Sequence, residues 1–227
     1  MSRNMAPGTV SSASDLVEYL VESAEAVDPS APRGFLERYI HSEIYKRYPE
    51  VQSVIHSHSE AVVPFSINGV PMKPCYHMAG FLGSGAPVWD IADSYGTNDT
   101  RDMLICNNSL GSSLAGSFCN SDQAQTGTFP TNRVVLMRGH GFTALAESIE
   151  ACVMTAIYTQ KNAMIQTTAI ITHAMYNSGD SNAWPIYLTK DEARDATHTN
   201  SGAVHRPWDL WCREVEACSL YRHDPRD

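Results

Sequence analysis

Apolar residues recur at helical spacing in some stretches of the chain and at strand-like density in others. Residues 35–48, FLERYIHSEIYKRY, place Leu36, Tyr39, Ile40 and Ile44 three and four apart. That makes one apolar face and predicts a helix. Pro49 ends it, because proline cannot continue the amide ladder. Residues 51–58, VQSVIHSH, are β-branched and partly alternating, and predict a strand. RVVLMRG at 133–139 is a β-branched run that predicts a buried strand. It runs through Gly-His-Gly into a long helix over about 148–171, opened by Glu147 and Ser148. Met164 and its neighbours on that helix are expected in the core. The tail, RPWDLWCREVEACSLYRH, sets Trp208, Trp211, Val215 and Cys218 on one face of a further helix.

Less regular segments separate these elements. Residues 1–12 are small and polar and are expected to be mobile. Ser14 or Asp15 is placed to cap a short helix or turn leading into LVEYLVES, and DPSAPRG at 28–34 reads as a loop. VVPFSING is a short element, with Asn68-Gly69 as a hairpin-type turn before VPMKP. Residues 80–100 read as loops around a strand in APVWDI, Ser109 to Leu114 as a short helix, and 119–132 as a polar loop. Strands alternating with long helices predict an α/β class. The expected organisation is one domain over 13–203, followed by a C-terminal helix and tail at 204–227 that packs on the domain or on a neighbouring subunit.

Composition narrows the roles open to such a domain. In 227 residues, 43% are hydrophobic and 18% charged, enough apolar material for a sizeable core. Lys and Arg number 16 against 25 Asp and Glu, a net charge of −9 that repels phosphate backbones and anionic lipid. No apolar run approaches the roughly 18 residues that cross a bilayer. The opening MSRNMAPGTVSS has no apolar stretch of the secretory kind. Six cysteines, none in a CxxC pair, are expected as free thiols in a reducing, cytoplasmic setting. A metal site must therefore rest on histidine and carboxylate.

Of nine histidines, three stand where chemistry is expected. His56 and His58 are two apart at a strand end, so both imidazoles point to one face. His140 lies between two glycines at the end of another strand, where the backbone can bend toward the first. Three histidines leave a coordination position open for water or substrate, the arrangement of a catalytic rather than a structural metal site. Glu37 precedes the HxH strand on the helix before it. A reversal between the two returns its carboxylate to the strand end, where it can shuttle protons beside a divalent cation. The donor set does not choose the metal: zinc is the first expectation, with manganese, iron and cobalt as alternatives.

The segment ERYIHSEIYKRYPEVQSVIHSHS resembles the core of the class II aldolase/adducin family: a glutamate, a histidine four residues on, a tyrosine-bearing helix end, then His-x-His. LMRGHGFTALAESIEACVMTAIYTQKNA resembles the family's third-histidine block. The resemblance covers roughly residues 13–215. It implies a central, mostly antiparallel sheet flanked by helices, here without the usual N-terminal helix and first strands. It also implies a divalent metal on His56, His58 and His140, Glu37 as catalytic acid/base, and a homotetramer with the site at a subunit boundary. Two departures bear on substrate. The family aldolases' phosphate-binding Ser-Ser pair is replaced by Phe35 and Leu36, and the usual Gly-Asn-x-Ser-x-Arg-like loop is missing.

The expectation is therefore a metal-dependent carbon–carbon lyase acting on a small, non-phosphorylated hydroxy-carbonyl or hydroxy-carboxylate, by retro-aldol cleavage or decarboxylation. The alternatives are a dehydratase, epimerase or iron-dependent oxygenase on the same fold, and an adducin-like interaction domain without catalysis. His77, before a loop, and Arg138, before the third histidine, are candidates to line the pocket and bind a substrate carboxylate. His41 is expected to pack or to support the site. His173, His198, His205 and His223 fall in no spacing that suggests a ligand set.

Overall fold

The computed structural model describes residues 1–119, 129–176 and 184–222. The expected polar loop at 119–132 lies largely outside them, as does His223. Four strands form one sheet in the order β1-β4-β3-β2, with β1 Ser53–Ser57, β2 Val88–Trp89, β3 Val134–Met137 and β4 Gly141–Ala146. The β1–β4 and β3–β4 pairs are antiparallel, and β2–β3 is parallel. Among the described residues six α-helices surround it: α1 Arg38–Arg47, α2 Val63–Ile67, α3 Asn108–Gly116, α4 Ile149–Tyr176, α5 Lys190–Ser201 and α6 His205–Ala217.

The two central strands are buried at every position. Their side chains divide between two cores, one on each face of the sheet. Val135, Met137 and Leu145 join Ile40 and Ile44 of α1 and Leu110 and Leu114 of α3. Val134, Leu136, Phe142 and Ala144 join Leu82, together with Phe65 of α2 and Ala163 of α4. A strand covered on both faces reads as an unbroken apolar run, which is why RVVLM does not alternate.

Several expectations change. GFTALA is a strand, β4, where the sequence reading ran straight from Gly-His-Gly into the long helix. Gly139 (φ 64°) and Gly141 (φ 154°) turn the chain back on β3, and a Cβ at Gly141 would collide with the Ser57 carbonyl. VVPFSING holds the short helix α2 and no hairpin: Asn68 caps its C-terminal end and Gly69, at φ 74°, follows in the left-handed conformation. Ser12, rather than Ser14 or Asp15, caps the 3-10 turn Ala13–Asp15. Residues 16–27 are joined by bridges, Ser2 to Leu16 and Tyr19 to Ala26, rather than wound into a helix. The opening segment carries defined hydrogen bonds, from the Arg3 amide to the Asp15 carbonyl and from the Val17 amide to the Met1 carbonyl, both 2.7 Å.

On α4 the buried positions are Cys152, Met154, Thr155, Thr159, Asn162, Ala163 and Gln166, while Met164 is 56% exposed. Asn162 and Gln166 are buried because they bond to the irregular segment after α2. The Asn162 Oδ1 accepts from the Cys75 amide at 2.8 Å, and the Gln166 Oε1 from the Lys73 amide at 3.0 Å. The Ser148 hydroxyl accepts from the Ala151 amide at 3.1 Å and opens α4 as expected. Helix α5, which was not foreseen, packs on the 3-10 segment His77–Leu82. Helix α6 contacts α4, with the Trp211 and Tyr158 rings 6.3 Å apart, but Leu210 (55%) and Val215 (49%) stay exposed. All six cysteines are free. Among the described residues no helix is long and apolar enough to cross a membrane.

Candidate metal centre

Glu37 immediately precedes α1 and makes no capping hydrogen bond, so its side chain is free to reach the end of β1. The positive end of the helix favours an ionised carboxylate there. His56 lies in β1 opposite Thr143 of β4. His58 follows just past the strand end, and His140 sits in the β3–β4 turn. One ligand atom from each of these four residues lies within 4.8 Å of all the others. Among the described residues no other such group of three or more His, Cys, Asp or Glu forms.

The Glu37 carboxylate faces all three rings. Its Oε2 is 3.4 Å from His56 Nε2 and 3.7 Å from His58 Nε2, and its Oε1 is 3.4 Å from His140 Nε2. The far ring nitrogens of two histidines are held by backbone. His56 Nδ1 lies 3.1 Å from the Phe142 carbonyl, and His140 Nδ1 lies 2.9 Å from the Met103 carbonyl. A carbonyl only accepts, so each Nδ1 carries a hydrogen and each neutral ring aims the Nε2 lone pair at the centre. Metal-binding histidines are commonly oriented in this way.

A cation fits this constellation. Glu37 Oε1 and His56 Nε2 are buried without a hydrogen-bond partner, a costly state unless something else satisfies them. His58 Nε2 and His140 Nε2 are 2.8 Å apart. Two lone pairs repel at that distance unless a proton or a cation lies between them. The donor set of three imidazoles and one carboxylate suits zinc and its neighbours. His58 is the open side, with its side chain 63% exposed against 8% for His140.

The electrostatics agree. Burial pushes the Glu37 carboxyl up, but the close approach of the His140 and His56 imidazoles outweighs this and holds it well below the usual carboxylate range. His140 is raised: burial opposes the charged form, and the Glu37 carboxylate more than compensates. His58 is lowered by burial and by the other two imidazoles. His41, one turn along α1, is pushed down to about 4 by burial, by His56 and by the Met1 amino group. It lines the same cleft as Glu37, His56 and His58.

The structure therefore gathers Glu37, His56, His58 and His140, and it does not bring His77 or Arg138 into that cleft. His77 is exposed at the start of its 3-10 segment, where its carbonyl accepts from Asn200 Nδ2 of α5 at 2.9 Å. Arg138 lies outside that cleft and pairs with Asp90, Nε to Oδ2 2.6 Å. Three contributors were missed: the Met103 and Phe142 carbonyls, and Tyr95, whose hydroxyl oxygen accepts from the Met103 amide at 3.0 Å. No spacing rule points to them, since a backbone carbonyl has no signature in sequence.

The fold and site define a class II aldolase-type protein. Residues 4–167 match the family described as Class II Aldolase and Adducin N-terminal domain, and the chain belongs to that family. Decarboxylase tropJ of Talaromyces stipitatus is 48% identical over 222 residues, 97% of this chain and 82% of that one. A 3,4-dihydroxyphthalate decarboxylase of Arthrobacter keyseri is 29% identical over 133 residues, 56% of this chain and 44% of that one. This chain therefore spans less than half the length of the Arthrobacter relative. Among solved structures, an aldolase II superfamily protein from Pseudomonas syringae superposes with a TM-score of 0.65 at 17% identity, over 93% of this chain and 75% of that one.

Proposed function

We propose that this protein is a divalent-metal-dependent decarboxylase of a hydroxy-aromatic or related hydroxy-carboxylate. The observation that carries the reading is the pairing of the His56, His58, His140 and Glu37 centre with an apolar approach at Phe35 and Leu36, where no hydroxyl offers a hold for phosphate. The similarity to two proteins named as decarboxylases supports the same choice. Four converging ligand atoms speak against a non-catalytic scaffold.

His56, His58 and His140 would hold the cation, with zinc the first candidate. When bound, a divalent ion acts as a Lewis acid that stabilises negative charge developing on a substrate oxygen. Glu37, held ionised by its neighbours, accepts the proton of the hydroxyl next to the scissile carboxylate. It then delivers that proton to the ring carbon bearing the carboxylate. The carbon–carbon bond breaks, its electron pair restores the aromatic ring, and carbon dioxide leaves. One proton from solvent returns to the substrate oxygen. Glu37 lies within 3.7 Å of all three imidazoles, so the proton carrier and the charge-stabilising site are adjacent.

Assembly as a homotetramer, with α6 near the subunit boundary, accords with the exposed Leu210 and Val215 of that helix. The division into a domain over 13–203 and a tail over 204–227 belongs to the same proposal. The deciding assay supplies the metal-loaded protein with hydroxy-benzoates and with hydroxy-carbonyl compounds, and measures carbon dioxide and aldehyde separately. Aldehyde without carbon dioxide would replace decarboxylation by retro-aldol cleavage.

A further inference from the structure

We propose that the cleft at this centre selects an aromatic monocarboxylate carrying apolar ring substituents and disfavours a substrate with a second carboxylate. The inference rests on the decarboxylase reading and deepens it. The cleft is about 790 Å³, within the usual range for small-molecule sites. Its polar groups, Glu37, His41, His56 and His58, gather at the metal centre. Apart from Met1 and Ser2, the rest of its lining is Pro7, Val10, Leu16, Phe35, Val54 and Ile55.

Among the described residues, no lysine or arginine side chain lines this cleft. The three cations of α1 are committed elsewhere, Arg47 through its Nε to the Tyr48 hydroxyl at 3.1 Å. Arg38 Nε donates to the Ala24 carbonyl at 2.7 Å, and Lys46 Nζ donates to the Glu22 carbonyl at 3.1 Å. Arg138 is held by Asp90 outside the lining. The Met1 amino group donates to the Val17 carbonyl at 2.8 Å, and burial disfavours its charged form.

One carboxylate beside a hydroxyl can be satisfied at the polar end. A neighbouring carboxylate on the same ring would lie against Phe35, Val54 or Leu16 with no counter-charge, and would feel the negative Glu37. An unpaired charge taken out of water without a partner is strongly disfavoured. A methyl group at the same ring position gains contact with the apolar wall. Phe35 is the pivotal wall residue. It lies two positions before Glu37, so the substrate that reaches the proton carrier also meets this ring.

The matched probes are 2,3-dihydroxy-6-methylbenzoate and 3,4-dihydroxyphthalate, which differ only by methyl against carboxylate at one ring position. Calorimetric binding to the zinc-loaded full chain should favour the methyl compound by roughly 100-fold or more, the scale expected for an uncompensated charge in an apolar wall. Phe35→Arg supplies the missing cation and should narrow that ratio at least tenfold. Leu16→Arg, at a position already 50% exposed, is the second variant should the first not fold. Equal or tighter binding of the dicarboxylate to wild type, no binding of the methyl compound, or an unchanged ratio in a folded arginine variant would overturn the proposal. Carbon dioxide release is read separately. Selective binding of the methyl compound without its decarboxylation would sink the decarboxylase reading and leave the cleft selectivity standing.

Discussion

His140 donates its Nδ1 hydrogen to the carbonyl of Met103 at 2.9 Å, and Met103 holds the left-handed backbone conformation, φ 70°. A non-glycine residue adopts that conformation at a cost of roughly 1–2 kcal/mol, so its surroundings must hold it there. Tyr95 does part of this by accepting from the Met103 amide. Tyr95→Phe should leave the fold intact and weaken divalent-metal affinity by about 10-fold or more, as loss of a ligand-orienting contact does. Competitive metal titration of the two proteins checks this.

Direct ligands should matter more. His58→Ala removes one of three imidazoles and should reduce bound metal in the purified protein to near background. Elemental analysis of wild type and variant is the measurement. Equal metal content would remove His58 from the ligand set, despite its 2.8 Å approach to His140.

Glu37→Gln separates holding the metal from moving the proton. The amide keeps the size of the side chain and loses the titrating group. Metal content should persist while turnover falls by two or more orders of magnitude, the scale of general acid–base catalysis. Near-normal turnover would demote Glu37 to a structural role, and loss of metal would make it a ligand.

The half-buried His41 sets a pH dependence. Its folded-state pKa, about 4, lies below the ordinary 6.5, so the unfolded chain binds the extra proton first. Stability of the metal-free protein is therefore full above about 6.5 and declines as pH falls toward 4. The contribution is at most about 3 kcal/mol at 1.36 kcal/mol per unit. His41→Gln should flatten the slope of denaturant-derived stability across that window. An unchanged slope would mean that another group carries it.

Assembly is tested by light scattering on the intact chain and on a chain ending before His205. A tetramer for the first and a smaller species for the second are expected, because removing α6 removes exposed Leu210 and Val215 together with Trp208 and Trp211. A monomeric intact chain would refute the assembly, whereas unchanged assembly after truncation would take α6 out of the interface.

Much of the centre was legible before folding was considered. A strand points residues two apart to one face, and His58, one position past the end of β1, keeps that convergence with His56. The helix at 38–47 and the strand at 53–57 are adjacent in sequence, so the reversal between them returns Glu37 to the strand end. The periodicity of α1 and the β-branched run of β3 were likewise local facts. Strand β4 was not legible as such, because a short, mostly apolar run such as GFTALA suits a buried helix turn as well as a buried strand. Only its pairing with β1 and β3, permitted by glycines at 139 and 141, decided the matter. The pairing of Arg138 with Asp90 and the docking of the His77 backbone carbonyl on α5 were also decided in three dimensions. The Met103 and Phe142 carbonyls that aim the imidazoles come from chain segments far from or opposite their histidines. Backbone groups acquire a role only through the path of the chain, so tertiary structure alone could select them.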